Sequence, residues 1–295
     1  MSAPEPITDE RLQKLLRAAL AEGQVGPLVE RLERSSGLPN RPNWGFARMV
    51  GAAIAGERSA GRVLLALASG EPPFGRIVAG FALATRLGTG AEPTELTAFE
   101  SLCGDERRFV REGAVLALRD TLAAHAGALA TTLRTFAPLE DGLLHAAVLI
   151  EALCDRAVLD RVTDGAEVVR VLEAAMARAD GASRSEERLQ GLRELRLRLP
   201  DALAAACARY RVALDWLERE LTAAKESAAA PRERRAFMRP ETHALWQETV
   251  RLLGRKKLGT ADLERLYALS DAGKKPPRDT ARVVEGTRKR GGRRR

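Results

Sequence analysis

The amino-acid sequence predicts an all-α protein built as an array of helical repeats. Apolar side chains recur at helical spacing, one segment recurs every thirty-five residues, and the composition favours helix. Hydrophobic residues make up 45% of the chain but aromatic residues only 4%, so Leu, Ala and Val must form the core. Because Ala and Leu are among the best helix formers, this composition indicates helices rather than strands.

The repeat is clearest in residues 104–122. Five apolar or small residues there fall at positions i, i+4, i+7, i+8 and i+12: Val110, Ala114, Ala117, Leu118 and Leu122. This spacing places them on one stripe of a helix. Asp105 precedes the stripe, where a carboxylate accepts hydrogen bonds from the free N–H groups of a helix start. The segment is therefore predicted to be one amphipathic helix with its own start signal.

Copies of this segment lie thirty-five residues to either side. Residues 74–83 overlay residues 109–118, with Phe, Arg, Ala, Ala and Leu identical at matching places. On the other side, Ala152-Leu153 falls on the same Ala-Leu pair, behind an apolar run. We therefore expect the pairs 82-83, 117-118 and 152-153 to occupy equivalent buried positions in successive repeats.

The repeated pattern resembles the second helix of a HEAT repeat. An Asp is followed five residues later by Val-Arg, then by Ala and Ala-Leu, as in Asp105, Val110-Arg111, Ala114 and Ala117-Leu118. The first copy keeps Arg76, the last keeps only the Ala-Leu pair, and the resemblance covers residues 59–154. It implies a compact HEAT-like α-solenoid, although the period is shorter than the roughly 40 residues of most HEAT repeats. Since HEAT-like proteins are mostly binding scaffolds, the resemblance implies a non-enzymatic scaffold whose expected partner is another macromolecule, foremost a protein.

The other elements up to residue 180 follow from the same periodicity and its breaks. Thr8 is the predicted cap of a first helix, a break at 23–27 separates it from a second, and a third begins at Trp44. The predicted first helices of the repeats lie near 59–69, 94–103 and 129–137, and the second helices near 74–87, 107–124 and 142–153. A further helix is predicted from Gly165 to Asp180.

A long helix pair is predicted after the array. Residues 184–199 carry a helical charge pattern, although Leu195, Leu197 and Leu199 alternate with Arg as they would in a strand. A proline then opens the longest predicted helix, residues 200–228. Six residues of that helix form a heptad seam: Leu203, Cys207, Tyr210, Leu214, Leu217 and Leu221.

The seam has two interpretations. We favour an antiparallel pair with residues 189–199 in a monomer, because three heptads are the lower limit for a coiled coil. The alternative is a dimer through residues 203–221. Two short helices follow, near 241–253 and 260–269. The predicted units are a HEAT-like solenoid (1–180), a long helical hairpin (181–228), short C-terminal helices (229–272) and a tail (273–295).

The net charge of +8 lies in the tail. Residues 273–295 hold ten Lys and Arg and two acids, whereas residues 1–272 hold 38 charges of each sign. Because the tail lacks apolar periodicity, we expect it to be disordered. Nine of its cations are candidate polyanion-binding residues: Lys274, Lys275, Arg278, Arg288, Lys289, Arg290, Arg293, Arg294 and Arg295. They would bind phosphates without sequence preference, through counterion release.

No residue pattern proposes a reaction. The three histidines are isolated, and the sequence has no zinc-ligand spacing, phosphate-binding glycine loop or nucleophile elbow. Bacterial alkylpurine DNA glycosylases are also built from HEAT-like repeats, but their catalytic pattern, a Trp-Asp followed three residues later by Asp, is absent around Trp44, Trp216 and Trp246. We therefore assign no catalytic residue, metal ligand or cofactor. An enzyme is not expected, although the sequence leaves the question open.

Arg76 and Arg111 have two interpretations. As the arginines of the repeat pattern, they either tie neighbouring repeats together, which we favour, or line a concave anion-binding surface. The alternative function is accordingly a nucleic-acid-associated protein that uses the basic tail. A continuous basic stripe along the concave face would favour that alternative, whereas a mixed or acidic face would favour the protein scaffold.

The cysteines and the hydropathy pattern indicate where the protein works. Cys103, Cys154 and Cys207 are widely spaced and odd in number, as expected for buried hydrophobes in a reducing cytosol. No apolar run reaches the roughly 18 residues of a membrane span, and no signal-peptide pattern opens the chain. We expect a cytoplasmic protein without a membrane partner.

Overall fold

The computed structural model describes residues 9–90, 92–229, 240–256 and 258–270, and every regular element in these residues is a helix. The first nine α-helices are α1 (Glu10–Glu22), α2 (Val25–Arg34), α3 (Trp44–Ala55), α4 (Gly61–Ser69), α5 (Pro73–Thr89), α6 (Pro93–Cys103), α7 (Arg108–Ala124), α8 (Leu129–Thr135) and α9 (Leu143–Leu153). The other six are α10 (Arg156–Leu159), α11 (Gly165–Asp180), α12 (Gln190–Arg209), α13 (Arg211–Ala229), α14 (Pro240–Leu253) and α15 (Thr260–Ser270). The all-α prediction is therefore confirmed for the described residues.

Six helices pack side by side in the order α3, α5, α7, α9, α12 and α14, and we call them the central row. Helices α4, α6 and α11 cover one side of this row: α4 packs against α5, α6 against α5 and α7, and α11 against α9 and α12. Beyond α11, the cover continues with α13, and α15 packs against α13 and α14. One hydrophobic cluster extends through these helices from Leu12 to Leu266.

Helix α5 lies inside the row, between α3 and α7 and under α4 and α6. From Phe74 to Ala84, every residue of α5 except Arg76 is buried. A helix that is apolar on all sides requires such cover. The predicted burial of the three Ala-Leu pairs is confirmed, since each of the six residues exposes at most 2% of its surface.

Two glycines allow the helices on either side to approach α5 closely. A Cβ atom added at Gly51 of α3 would lie 2.7 Å from the Cβ of Phe81 and 3.1 Å from the carbonyl oxygen of Val78. A Cβ added at Gly113 of α7 would lie 3.1 Å from the Cγ2 of Ile77. The spacing of α3, α5 and α7 therefore depends on positions without a side chain.

The predicted helix boundary at Pro200 is wrong. Helix α12 continues through Pro200, and the chain breaks instead at Tyr210, which has an extended backbone (φ −123°, ψ 127°). Four leucines remain buried on one face of α12 across the proline: Leu192, Leu195, Leu199 and Leu203. Their packing outweighs the one helical hydrogen bond that proline cannot donate.

The heptad seam is consequently divided between α12 and α13. Tyr210 lies at the break, and its single hydroxyl hydrogen is shared between the carbonyl oxygens of Leu159 (O–O distance 2.8 Å) and Val162 (3.0 Å). The interpretation of the seam as one continuous helix is therefore wrong, and the long pair of this region is α12 with α13. All six seam residues are buried within the chain. The monomeric state stays a prediction.

Two further predictions concern the ends of the chain. The cap of α1 is Asp9, whose Oδ1 accepts from the Leu12 N–H at 3.1 Å, whereas Thr8, the predicted cap, lies outside the described residues. The tail at 273–295 lies outside them as well. Among the described helices, none is long and apolar enough to cross a bilayer.

Candidate functional site

The face of the central row that points away from α4 and α6 is closed over α5. Phe81 lies on this face of α5, and the guanidinium carbon of Arg48, from α3, lies 5.4 Å from the centroid of its ring. The Nε of Arg48 also lies 2.6 Å from Oδ2 of Asp120 on α7. The side chains of α3 and α7 thus meet across α5 and cover it.

The same face is only partly closed over α9. The Nη2 of Arg111, on α7, lies 2.6 Å from Oε1 of Glu194 on α12, so that one ion pair bridges the two helices that flank α9. Beside this bridge lies a cleft of about 330 Å³, which we call the central cleft. Ala147, Val148 and Glu151 of α9 form its floor.

The charges around the central cleft alternate in sign. Nε of Arg108 lies 2.7 Å from Oε1 of Glu112, and Nε of Arg198 lies 3.1 Å from Oε2 of Glu151. Burial raises the pKa of the Glu151 carboxyl; Arg198 opposes this effect, and the neighbouring carboxylates of Glu112 and Glu194 reinforce it. The cleft therefore presents a mixed rim around a partly buried acid.

Leu197 separates the central cleft from a second one. Its side chain is 70% exposed, and it lines both the central cleft and a cleft of about 440 Å³ between α12 and α14, which we call the side cleft. The side cleft has an apolar lining that includes Pro200, Leu245 and Leu252, with Glu241 and Glu248 on the α14 side. We call the two clefts and the leucine between them the Leu197 face.

The Leu197 face combines an exposed leucine with Arg–Glu ion pairs, and the described residues add neither a metal-ligand cluster nor a readily ionised thiol. Within the part of the chain that the structure describes, no group of three His, Cys, Asp or Glu side chains is arranged to hold a metal ion. Burial raises the pKa of the Cys207 thiol to about 12, and raises the pKa of the Cys103 and Cys154 thiols further. Thiols so rarely ionised are poor nucleophiles.

The structure brings the repeat-pattern residues Arg76, Arg111 and Asp105 into contacts within the chain. Nε of Arg76 donates to the carbonyl oxygen of Gly70 at 2.7 Å, and its Nη1 pairs with Oδ2 of Asp105. Nη1 of Arg111 donates to the carbonyl oxygens of Asp105 (2.6 Å) and Glu106 (3.0 Å). Both guanidinium groups thus contact carbonyl and carboxylate oxygens of neighbouring elements, and Arg111 also lines the central cleft.

The nine candidate polyanion-binding cations of the tail lie outside the described residues, so the structure does not place them. The Leu197 face, in contrast, was missed by the sequence prediction. The alternation at Leu195, Leu197 and Leu199 contained the signal: on a helix, two of these leucines share a face and the third points elsewhere. Leu195 and Leu199 are buried, and Leu197 is the exposed one.

Comparison of this chain with protein-family models, with curated proteins and with solved structures finds no match.

Proposed function

We propose that the chain is a non-enzymatic, HEAT-like helical-repeat scaffold that binds another protein through the Leu197 face. The repeat interpretation is supported by a contact that recurs in α5 and α7. Arg76 and Arg111 each donate to the carbonyl oxygen of the residue six positions earlier, Gly70 and Asp105 respectively. The ordered packing of α3, α5, α7, α9, α12 and α14 supports it further, since repeats of a solenoid contact their neighbours in chain order.

The exposure of Leu197 is the observation that carries the binding proposal. A large aliphatic side chain that is 70% exposed between two clefts provides an apolar centre with a polar rim. Protein–protein interfaces have this anatomy. Grooves of this kind also suit an elongated partner better than a small substrate, which is bound in a deeper and more enclosed pocket.

The charge on the Leu197 face favours a protein over a nucleic acid. Its two clefts are lined by four arginines and six acids: Arg108, Arg111, Arg196, Arg198, Glu112, Glu151, Glu194, Asp201, Glu241 and Glu248. Of the 48 Lys and Arg and the 40 Asp and Glu of the chain, 33 and 35 lie in the described residues. A surface that binds a phosphate backbone needs a positive excess, which neither set provides. The nucleic-acid alternative thus depends on the tail.

A capture experiment with matched variants tests the proposal. Full-length protein, Leu197→Glu and Leu65→Glu are used as baits in lysate of the native cells, with and without nuclease treatment. Leu65 is 38% exposed on α4, on the covering side, and Glu keeps the helix propensity of both positions. We expect one partner to be retained by the wild type and by Leu65→Glu, and lost at least about tenfold by Leu197→Glu, equivalent to ~1.4 kcal/mol.

Two results would contradict the proposal. Equal retention by both variants would place the partner elsewhere on the chain. Capture that disappears with nuclease treatment would favour the nucleic-acid alternative. Circular dichroism of all three baits serves as the folding control.

A further inference from the structure

A third cleft lies between α11, α13 and α14. It has a volume of about 430 Å³, and Met176, Trp216 and Trp246 are among the residues that line it. The two indole rings pack edge to face, with centroids 5.9 Å apart and an angle of 66° between their planes. Since both tryptophans are nearly buried, they form an apolar floor, and we call this site the tryptophan cleft.

The rim of the tryptophan cleft is acidic. Glu173, Asp180 and Glu220 line it, and its described lining contains no Lys or Arg. Within the described residues none of these three acids has an ion-pair partner within 4.0 Å; Asp180 accepts one hydrogen bond, from the Thr242 hydroxyl at 2.6 Å, and interacts with the charge of Arg196 at longer range. In this respect the cleft differs from the Leu197 face, where arginines pair with the glutamates. The chemistry of the cleft suits a cationic occupant with a small apolar portion.

The chain itself supplies such an occupant. The 25 residues that follow α15, 271–295, contain ten Lys and Arg against three acids, and their only large apolar residues are Val283 and Val284. We propose that the tryptophan cleft docks this C-terminal segment of the same chain, with the two valines over the indoles and the flanking cations on the acidic rim.

The place where α15 ends supports an intramolecular contact. Nζ of Lys225, on α13, donates to the carbonyl oxygen of Ala268 at 3.2 Å, so the last turn of α15 lies against α13 at the level of Ala224 and Ser227, two residues of the cleft lining. Lys225 points away from the cleft, and the segment must therefore pass around α13, a helix about 10 Å in diameter. Half the circumference of such a helix is about 16 Å, and the thirteen residues from Ser270 to Val283 span up to about 43 Å when extended.

Tethering makes even a weak contact effective. A segment tethered to its own site meets that site at an effective concentration in the millimolar range. The docked cations are then shared between the acidic rim and any polyanion, so docking limits the affinity of the tail for phosphates. The proposal stands apart from the Leu197 face and does not require that face to bind a protein.

Limited trypsin digestion of the full-length protein tests the docking, because trypsin cleaves after the Lys and Arg residues of the segment. A synthetic, isotope-labelled peptide of residues 271–295 is digested in the same tube as a reference, and mass spectrometry follows both. We expect the wild-type segment to be cleaved about threefold more slowly than the peptide, which corresponds to docking for two-thirds of the time. The double variant Glu173→Gln/Glu220→Gln should lose this protection.

A matched control and a second variant make the result specific. Glu22→Gln/Glu57→Gln removes the same charge from exposed positions near α1 and α3 and should keep the protection. Val283→Ser/Val284→Ser changes only the tail, cannot unfold the described core, and should lose the protection. Val283→Ser/Val284→Ser should also bind heparin more tightly than the wild type, because its cations are no longer shared with the acidic rim.

Three outcomes would overturn the proposal. Equal cleavage of the wild-type segment and the peptide would show that the segment is not docked. Protection that survives Glu173→Gln/Glu220→Gln would show that the segment docks elsewhere on the protein. Protection that disappears on dilution would show that the occupant is the segment of a second copy rather than of the same chain.

Discussion

At the scale of single residues, the arginines of the repeat pattern contact carbonyl and carboxylate oxygens within the chain. Arg76 joins the turn before α5 to Asp105, which precedes α7, and Asp105 in turn accepts from the Arg107 N–H at 2.8 Å. Only 3% of the Asp105 side chain is exposed. A carboxylate buried to this degree is costly unless it is paired, so its partner matters.

We predict that Asp105→Asn destabilises the protein more than Asp120→Asn does. Both changes remove one charge of an Arg–Asp pair, but the Asp120 side chain is 40% exposed, so solvent screens its pair with Arg48. The expected losses in free energy of unfolding are about 1–3 kcal/mol for Asp105→Asn and below about 1 kcal/mol for Asp120→Asn. Urea denaturation measures both. Equal losses would mean that Asp105 is not held by a buried pair.

The ion pair between Arg178 and Glu186 should make stability depend on acid pH. The hydrogen bond from Arg178, together with bonds from the Ser183 N–H and hydroxyl, lowers the pKa of the Glu186 carboxyl from its ordinary 4.5 to about 2. Because the folded-state pKa is lowered, the stabilisation is complete above pH 4.5 and disappears as pH falls toward 2. The stability difference between wild type and Glu186→Gln, from urea denaturation at several pH values, should therefore shrink between pH 4.5 and 2. A difference that is constant over this range would refute the assignment.

Sequence reasoning found some of these residue roles and could not find others. Asp105 was predicted as an acceptor at a helix start because the signal is local. The equivalent acceptor for α5 is Glu33, whose Oε1 accepts from the N–H groups of Phe74 (2.9 Å) and Gly75 (3.1 Å). Glu33 lies 41 residues before Phe74, so no local pattern connects the two.

At the scale of helices, the close approach of neighbouring helix backbones sets the geometry of the central row. Gly51 faces Phe81 and the Val78 carbonyl group, so α3 and α5 pack with backbone near backbone. The sequence showed glycines within helical stripes but not which of them face a neighbour. In the same way, Pro200 was predicted as a helix start because proline favours that position. Instead, α12 continues through Pro200, because it packs against α9, α11 and α14 along its length.

We predict opposite effects for Gly→Ala at two helical positions. Ala normally stabilises a helix relative to Gly by up to about 1 kcal/mol, and Gly61→Ala in α4, where the new methyl group meets no other part of the chain within 4 Å, should gain part of that amount. Gly51→Ala places a methyl group 2.7 Å from the Phe81 Cβ and should instead lose about 1–3 kcal/mol. Thermal denaturation compares the two. A stabilising Gly51→Ala would mean that α3 and α5 are farther apart than the structure shows.

At the scale of the whole molecule, the row of helices determines which surface is open. The Arg48–Asp120 pair covers α5, and the Arg111–Glu194 pair covers part of α9. The rest of α9 stays open and leaves the Leu197 face accessible. The helical class and the positions of the helices between residues 59 and 153 followed from periodicity, which is local. The Leu197 face could not be predicted as a unit, because it combines residues of α7, α9, α12 and α14 that are up to 144 positions apart in the chain.

Photocrosslinking tests most directly whether the Leu197 face binds a protein. The photoreactive residue benzoylphenylalanine replaces Leu197 in one sample and Leu65 in another, and each chain is irradiated in lysate of the native cells and then treated with nuclease. We predict a discrete, nuclease-resistant protein adduct from position 197 and none from position 65. Adducts from position 65 alone, or adducts that nuclease removes, would contradict the scaffold proposal.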